Sequence, residues 1–98
     1  MKDIISNLNK AFESRVRLGI MSVLSVNEWS DFNTLKELLD VTDGNLASHL
    51  LALEKSKFIV MRKTFIGRKP NTRYAATIEG KKAFREHLDY LARLIKGK

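Results

Sequence analysis

The sequence predicts one mainly α-helical domain with a small β-hairpin, a fold of the α+β class. Apolar residues recur at intervals of three and four over most of the 98 residues, which is the spacing of amphipathic helices. Residues 58–66 are instead rich in β-branched and aromatic side chains, and turn-forming residues follow at 67–71. We find no repeats or linkers, so we expect a single domain over residues 1–98.

Composition limits the class of protein. An apolar content of 44% with 30% charged residues is typical of a globular domain of this length. The chain contains no cysteine, which excludes disulfides, thiol redox sensing and thiolate metal sites. It shows neither the apolar core of a signal peptide nor an apolar run long enough to span a bilayer. We therefore expect a cytoplasmic protein that does not bind membranes.

Two amphipathic helices are predicted in the amino-terminal part of the chain. The first covers about residues 1–12. Its apolar positions include Ile4, Ile5 and Leu8. Ser14 is a suitable N-cap for the second helix, 15–26, and Gly19 within it is interpreted as a point where another helix approaches closely. Residues 30–32 predict a very short strand, and Trp29 before it is interpreted as a loop residue that covers the core.

Residues 33–57 predict two short helices separated by a tight turn. Asn33 is the expected N-cap of the first, 34–39, and Thr42 that of the second, 43–56. The expected buried positions are Leu35, Leu38 and Leu39 in the first helix and Leu46, Leu50 and Leu53 in the second. Such a pair is typical of a helix-turn-helix, although an ordinary helical hairpin in a small core is an alternative.

The carboxyl-terminal part predicts a hairpin over 58–76 and a last helix over 78–96. We place Pro70 in the turn because proline has no backbone N–H for a strand ladder, and we expect the second strand at 72–76. Thr77 is the expected N-cap of the last helix. The apolar stripe of this helix consists of Phe84, Leu88, Leu91 and Ile95.

Together with the apolar positions of helix 1–12, this stripe offers more apolar surface than one small core needs. We therefore predict a homodimer whose subunits meet through the two terminal helices. The predicted interface residues are Ile4, Ile5, Leu8, Phe84, Leu88, Leu91 and Ile95. Closure of a monomeric core by both helices is the alternative.

Positive charge is concentrated in one segment of the chain, whose net charge is +7. Residues 1–54 carry five basic and eight acidic side chains, whereas residues 55–78 carry seven basic side chains and no acid. A solvated face usually mixes both signs, while a block of one sign creates a field that attracts a polyanion. The distribution therefore favours nucleic acid as the partner over an ordinary charged surface.

Three passages carry a resemblance to a known family. They are DFNTLKELLDVTDGNLASHLLALEKSKFI, FIGRKPNTRY and TIEGKKAF, which together span roughly residues 31–84. They resemble small winged-helix transcriptional regulators of the MarR/ArsR kind. The resemblance implies a homodimer that binds near-palindromic operators in double-stranded DNA, most simply as a repressor. It implies that the recognition helix, 43–56, enters the major groove and that the wing, 67–71, contacts phosphates or the minor groove.

Candidate DNA contacts follow from the chemistry of these two segments. Asn45 can donate to and accept from an adenine edge, although a hydrogen bond to the helix-start backbone is an equal alternative. Ser48 can pair with several bases, and Arg68 suits a narrow A·T-rich minor groove. His49 is expected to be partly buried, bonded to backbone or donating to a phosphate. The full candidate set is Thr42, Gly44, Asn45, Ser48, His49, Lys55, Arg62, Lys63, Arg68, Lys69 and Arg73.

Other functional classes fit the sequence less well. There is no cysteine nucleophile, no clustered Ser/His/Asp set and no phosphate-binding P-loop, so we expect neither an enzyme nor a cofactor. His49 and His87 are the only histidines and lie far apart in sequence, which argues against a metal site. A winged-helix module that binds only proteins is the main alternative, and double-stranded RNA binding is a third. The sequence does not identify an effector.

Overall fold

Five helices and three strands make up the computed structural model, which describes residues 2–97. The helices are α1 Lys2–Asn7, α2 Arg15–Val26, α3 Phe32–Leu39, α4 Asp43–Lys55 and α5 Ile78–Lys96. The strands are β1 Ser30–Asp31, β2 Ile59–Ile66 and β3 Lys69–Ala76, and a 3₁₀ turn lies at Lys10–Phe12. The predicted fold class is confirmed. Met1, at the start of the predicted first helix, lies outside the described residues.

Polar side chains cap α2, α3, α4 and α5. The predicted caps that are confirmed are Ser14, Thr42 and Thr77, whose hydroxyls accept from backbone N–H groups two or three residues later. The predicted cap Asn33 is wrong. The carboxylate of Asp31 accepts from the backbone N–H of Thr34 at 2.8 Å instead, so α3 begins at Phe32.

The prediction of one continuous helix over about 1–12 is also wrong. Helix α1 ends at Asn7, and the side chain of Asn9 caps the following 3₁₀ turn by accepting from the backbone N–H of Ala11 at 2.9 Å. The backbone N–H of Asn9 donates to Nδ1 of His87 in α5 at 3.0 Å. This break lets the chain turn so that Phe12 becomes fully buried.

The three strands form an antiparallel sheet in the order β1-β3-β2. Strands β2 and β3 pair without interruption up to Ile66 and Lys69, so the turn contains only two residues. Gly67, the first of them, adopts a φ of 63°, which a glycine-initiated two-residue hairpin turn requires.

The placement of Pro70 in the turn, with the second strand starting at residue 72, is therefore wrong. Pro70 lies in β3 and pairs with Phe65. The pair next to a two-residue turn exchanges hydrogen bonds, so the alternation of an antiparallel ladder makes the Phe65–Pro70 pair a non-hydrogen-bonded one. The missing N–H of proline therefore costs this ladder no hydrogen bond.

The core is built around the inner faces of α2, α3 and α4 and the base of the hairpin. Its fully buried large side chains are Phe12, Ile20, Met21, Leu24, Leu35, Leu46, Leu50, Leu53 and Ile59. The predicted inner face of α4 is thus confirmed. Leu38 was expected to be buried and is 62% exposed, because Leu39 is the residue that packs towards α2.

Two glycines permit close contacts between elements. A Cβ on Gly19 would lie 2.5 Å from Cδ2 of Leu39, which confirms the expected close approach of a helix to α2. A Cβ on Gly80 would overlap the carbonyl oxygen of Phe58 and come within 2.9 Å of its Cα. That carbonyl accepts from the backbone N–H of Thr77 at 3.0 Å, so α5 is fixed directly against the start of the hairpin.

No helix within residues 2–97 is both long enough and apolar enough to cross a membrane.

The first prediction concerns Gly80. Gly80→Ala should lower the free energy of unfolding by about 2–3 kcal/mol, because the added methyl group meets backbone atoms that cannot rotate away. Gly44→Ala is the matched control, since a Cβ there meets nothing within 4 Å and alanine favours the helix by up to about 1 kcal/mol. Urea unfolding measures both changes, and equal stability of the two variants would contradict this account.

The second prediction uses the buried His87, which is 4% exposed. Burial lowers the pKa of His87, and the nearby Glu13 carboxylate opposes this only in part. Below the ordinary histidine value of 6.5, the unfolded chain binds a proton that the folded chain resists. The free energy of unfolding should therefore fall as the pH is lowered from about 7.5 towards 5.5, as measured by urea unfolding at each pH.

His87→Gln should reduce this pH dependence, and the remainder should come from His49, whose pKa is also lowered. His49→Gln is thus the companion variant. An identical pH slope in the wild-type protein and in both variants would contradict the assignment.

Candidate nucleic-acid interface

Helix α4 has one face in the core and one face open to solvent. The exposed face bears Gly44, Asn45, Ala47, Ser48, Leu51 and Lys55. Four of these, within the first two turns, are small or polar, so the backbone of α4 can approach a partner closely. The positive end of the helix dipole lies at the amino-terminal end of α4, where it favours anionic groups.

Two polar contacts define the start of α4. The backbone N–H of Asn45 donates to the hydroxyl of Thr42 at 3.2 Å, and Nζ of Lys36 lies 2.8 Å from the Asp43 carboxylate. That ion pair is well exposed and contributes little to stability. Within residues 2–97 the side-chain amide of Asn45 has no hydrogen-bond partner, which leaves both its donor and its acceptor for a ligand.

The turn before α4 is short, and the predicted helix-turn-helix is present. Asp40 ends α3 with a φ of 51°, in the left-handed region, and the next helix begins at Asp43. Thr42 and Gly44, both predicted contacts, are exposed on either side of that start.

His49 lies at the edge of the buried face and is held by a residue that the sequence did not indicate. Nε of Arg17 in α2 donates to Nδ1 of His49 at 3.0 Å. Burial and the Arg17 charge both lower the pKa of His49, so the ring is neutral at pH 7 and carries its proton on Nε2. His49 is half-buried as expected, but its partner is a side chain 32 residues away instead of the backbone.

The wing tip carries two exposed cations. Arg68 is the second residue of the two-residue turn and Lys69 is the first residue of β3, and both are exposed. Lys63 is exposed on β2, and Lys55 is exposed at the last turn of α4. In the described part of the chain, no carboxylate lies within 4.0 Å of these cationic groups.

The two remaining predicted cations lie together midway along the wing. Arg62 and Arg73 are directly opposite each other on β2 and β3. Their guanidinium carbons lie 4.9 and 5.4 Å from the ring centre of Trp29. Nε of Arg73 is buried and has no hydrogen-bond partner within residues 2–97.

Trp29 is half-buried as expected for a covering residue, but it also stabilises two like charges through its ring face. Local sequence patterns do not predict this contact, because Trp29 is more than 30 residues from both arginines. The predicted phosphate contacts therefore divide into two arginines that stack on Trp29 and the remaining cations, which have no carboxylate partner within residues 2–97.

The predicted interface residues of the terminal helices differ in exposure. Helix α1 packs against α5. Ile5, Leu88 and Ile95 are 56%, 45% and 88% exposed. Ile4, Leu8 and Leu91 are half-buried. Phe84 was wrongly assigned to a subunit interface, since it is 4% exposed and packs edge-to-face against Phe12, with ring centres 5.5 Å apart.

Within residues 2–97 no three histidine, aspartate or glutamate side chains come together in a way that would hold a metal ion.

The chain is similar to a known protein family and to a protein of an archaeon. The winged helix DNA-binding domain family matches residues 16–95 of this chain. An uncharacterized protein of Methanocaldococcus jannaschii is 38% identical over 87 residues, which cover 89% of this chain and 95% of that protein.

Two solved structures illustrate the similarity of fold. A transcriptional regulator homologue from Pyrococcus horikoshii OT3 is 31% identical with a TM-score of 0.86, covering 98% of this chain and 93% of that one. YusO of Bacillus subtilis is 16% identical with a TM-score of 0.78, covering 97% of this chain and 70% of that one. The second likeness concerns the fold alone.

Proposed function

The chain belongs to the family of winged helix DNA-binding domains, and from this membership we propose that it is a homodimeric regulator of transcription that binds specific operators in double-stranded DNA. The observation that carries the proposal is the pairing of two features in one short stretch. Helix α4 offers an exposed face of small and polar side chains, and the wing that follows it carries cations that have no carboxylate partner within residues 2–97.

In the proposed complex, α4 lies in the major groove. Asn45 and Ser48 contact base edges, because amide and hydroxyl groups can match the donors and acceptors there. The amino-terminal end of α4, with Thr42 and Gly44, faces a phosphate. His49 donates to a second phosphate from Nε2, since Arg17 occupies Nδ1.

The wing supplies electrostatic affinity. Arg68 enters the minor groove, whose acceptor edges and negative potential attract arginine, and Lys69 contacts an adjacent phosphate. Lys55 and Lys63 are further phosphate contacts. Arg62 and Arg73, midway along the wing, contact the DNA backbone. The Trp29 ring restricts their motion and so reduces the entropy lost on binding.

Two copies of the chain are proposed to associate through α1 and α5. The exposed apolar side chains Ile5, Leu88 and Ile95 provide the contact. In such a dimer, two α4 helices about 34 Å apart would match half-sites one helical turn apart, as a near-palindromic operator requires. A dimer bound over a promoter would act as a repressor by excluding other proteins from it.

The third prediction tests the wing. A dimer should lose on the order of a thousandfold in affinity for duplex DNA between 50 and 200 mM salt, because several phosphates are neutralised. Arg68→Ala with Lys69→Ala should weaken binding and reduce the slope of log affinity against log salt by about 2 per protomer. Fluorescence anisotropy with a selected operator and with a random duplex measures both effects.

Lys81→Ala with Lys82→Ala is the matched control, since it removes the same charge from exposed positions on α5. This control variant should keep the wild-type salt slope. If the wild-type protein binds no duplex, the chain is better described as a protein-interaction module. If it prefers duplex RNA over duplex DNA, the nucleic acid has been misassigned.

The fourth prediction tests the dimer. Leu88→Glu with Ile95→Glu should convert the protein to a monomer at about 10 μM, because it places two like charges in each half of an apolar contact. Ile78→Glu is the matched control, as Ile78 is 85% exposed on the same helix but outside the proposed contact. Sedimentation velocity gives the answer, and a monomeric wild-type protein at this concentration would contradict the proposal.

A further inference from the structure

The tip of the wing carries two large apolar side chains that do not pack in the core. Phe65 is 72% exposed and Ile66 is 65% exposed, although both belong to a regular strand. At the other end of the same hairpin, Ile59 and Tyr74 are only 2% and 7% exposed. One end of the hairpin is therefore part of the core, whereas its tip exposes apolar side chains to solvent.

The arrangement of these groups gives the tip two apolar flanks. Phe65 pairs with Pro70, whereas Ile66 pairs with Lys69 beside the turn. Because successive residues of a strand point to opposite faces, Phe65 and Ile66 lie on opposite sides of the hairpin. Arg68 lies in the turn and Lys69 lies opposite Ile66, so the tip combines two cations with one apolar side chain on each face of the hairpin.

Charge identifies the kind of partner that this tip would contact. Lys69 pairs with Ile66, and Lys63 and Arg68 lie two residues from Phe65 and Ile66 along the chain. In residues 2–97 no carboxylate lies within 4.0 Å of these three charged groups. A purely apolar partner would leave these charges without counterions, so the partner combines a high negative charge with apolar walls. The minor groove of duplex DNA has this character, with phosphates at its rims and sugar rings along its sides.

The tip of the wing is too wide for an undeformed minor groove. An ordinary minor groove is about 6 Å wide, whereas two paired strands are already about 4.8 Å apart before their side chains are added. Arg68 alone can enter such a groove, but the strands on either side cannot do so without widening it. Apolar side chains inserted into this groove are known to unstack base steps and kink the duplex toward the major groove.

We propose that Phe65 and Ile66 form an apolar wedge that contacts the sugar walls of the minor groove, widens the groove at the wing and bends the duplex. The wedge rests on the proposed DNA-binding function and adds to it a contact that carries no charge. It makes operator choice depend on how readily the DNA deforms under the wing, in addition to the bases that α4 contacts.

The test is the variant Phe65→Ser with Ile66→Ser, the fifth prediction. Affinity for a selected operator, measured by anisotropy, should fall about tenfold to a hundredfold, because two apolar side chains lose a buried environment. The salt slope should stay at the wild-type value, since no cation has been removed, in contrast to Arg68→Ala. The bend of the duplex, measured by energy transfer between its labelled ends, should decrease.

Two further variants serve as controls. Val60→Ser with Met61→Ser removes apolar groups of 45% and 40% exposure from the same strand nearer its base, and it should retain both affinity and bend. Phe65→Leu keeps an apolar flank and should retain most of the bend. Urea unfolding of each variant separates loss of binding from loss of the fold.

The outcomes distinguish the wedge from the proposed function. If the wild-type protein binds no duplex, both are overturned. If it binds, and the double serine variant keeps the wild-type affinity and bend, only the wedge is overturned. The wedge is likewise overturned if sedimentation shows that the double variant has lost its dimer, since the apolar pair would then be a subunit contact.

Discussion

The close contact between α5 and the backbone at the start of the hairpin is the constraint on which the rest of the structure depends. Lys57, with a φ of 63°, redirects the chain after α4, and its carbonyl accepts from the Thr77 hydroxyl at 2.8 Å. Phe58 accepts from the Thr77 N–H and lies against Gly80. Its ring also packs on Phe12, with centres 5.2 Å apart. The orientation of α4, the wing and α5 is therefore set at this one contact.

Local rules explain why so much of the fold could be predicted. Thr42 and Thr77 cap helices through contacts three residues away, and the leucines of α4 follow a helical period, so neighbouring residues are sufficient. The errors arose where a distant partner decides. Asn9 interrupts the first helix and contacts His87, 78 residues later. Asp31 and Asn33 are both good caps in isolation, and the pairing of Asp31 with Arg73 in the sheet is a contact that local sequence does not contain.

The candidate interface shows the same division between local and distant contacts. A block of basic residues over 55–78 is visible in the sequence, but the roles of its members are not, because they depend on which aromatic ring or carboxylate lies nearby. Arg62 and Arg73 stack on the ring of Trp29, which distinguishes them from the cations at the tip. Arg17 likewise fixes the tautomer of His49 from another helix. Composition predicts a polyanionic partner. Packing determines which cations stack on an aromatic ring and which do not.

These features imply a division of labour in the proposed complex. The exposed face of α4 offers few groups that distinguish bases: the Asn45 amide, the Ser48 hydroxyl and Leu51, which is 51% exposed and suited to a thymine methyl group. Only the Asn45 amide can form a bidentate pair with a base, which contributes about 1–3 kcal/mol of discrimination, so one protomer distinguishes operators only modestly. The cations of the wing add affinity without base preference. Selectivity would then have to come from reading two half-sites at once and from the deformability of the DNA under each wing, so the terminal helices matter as much to recognition as the helix in the groove.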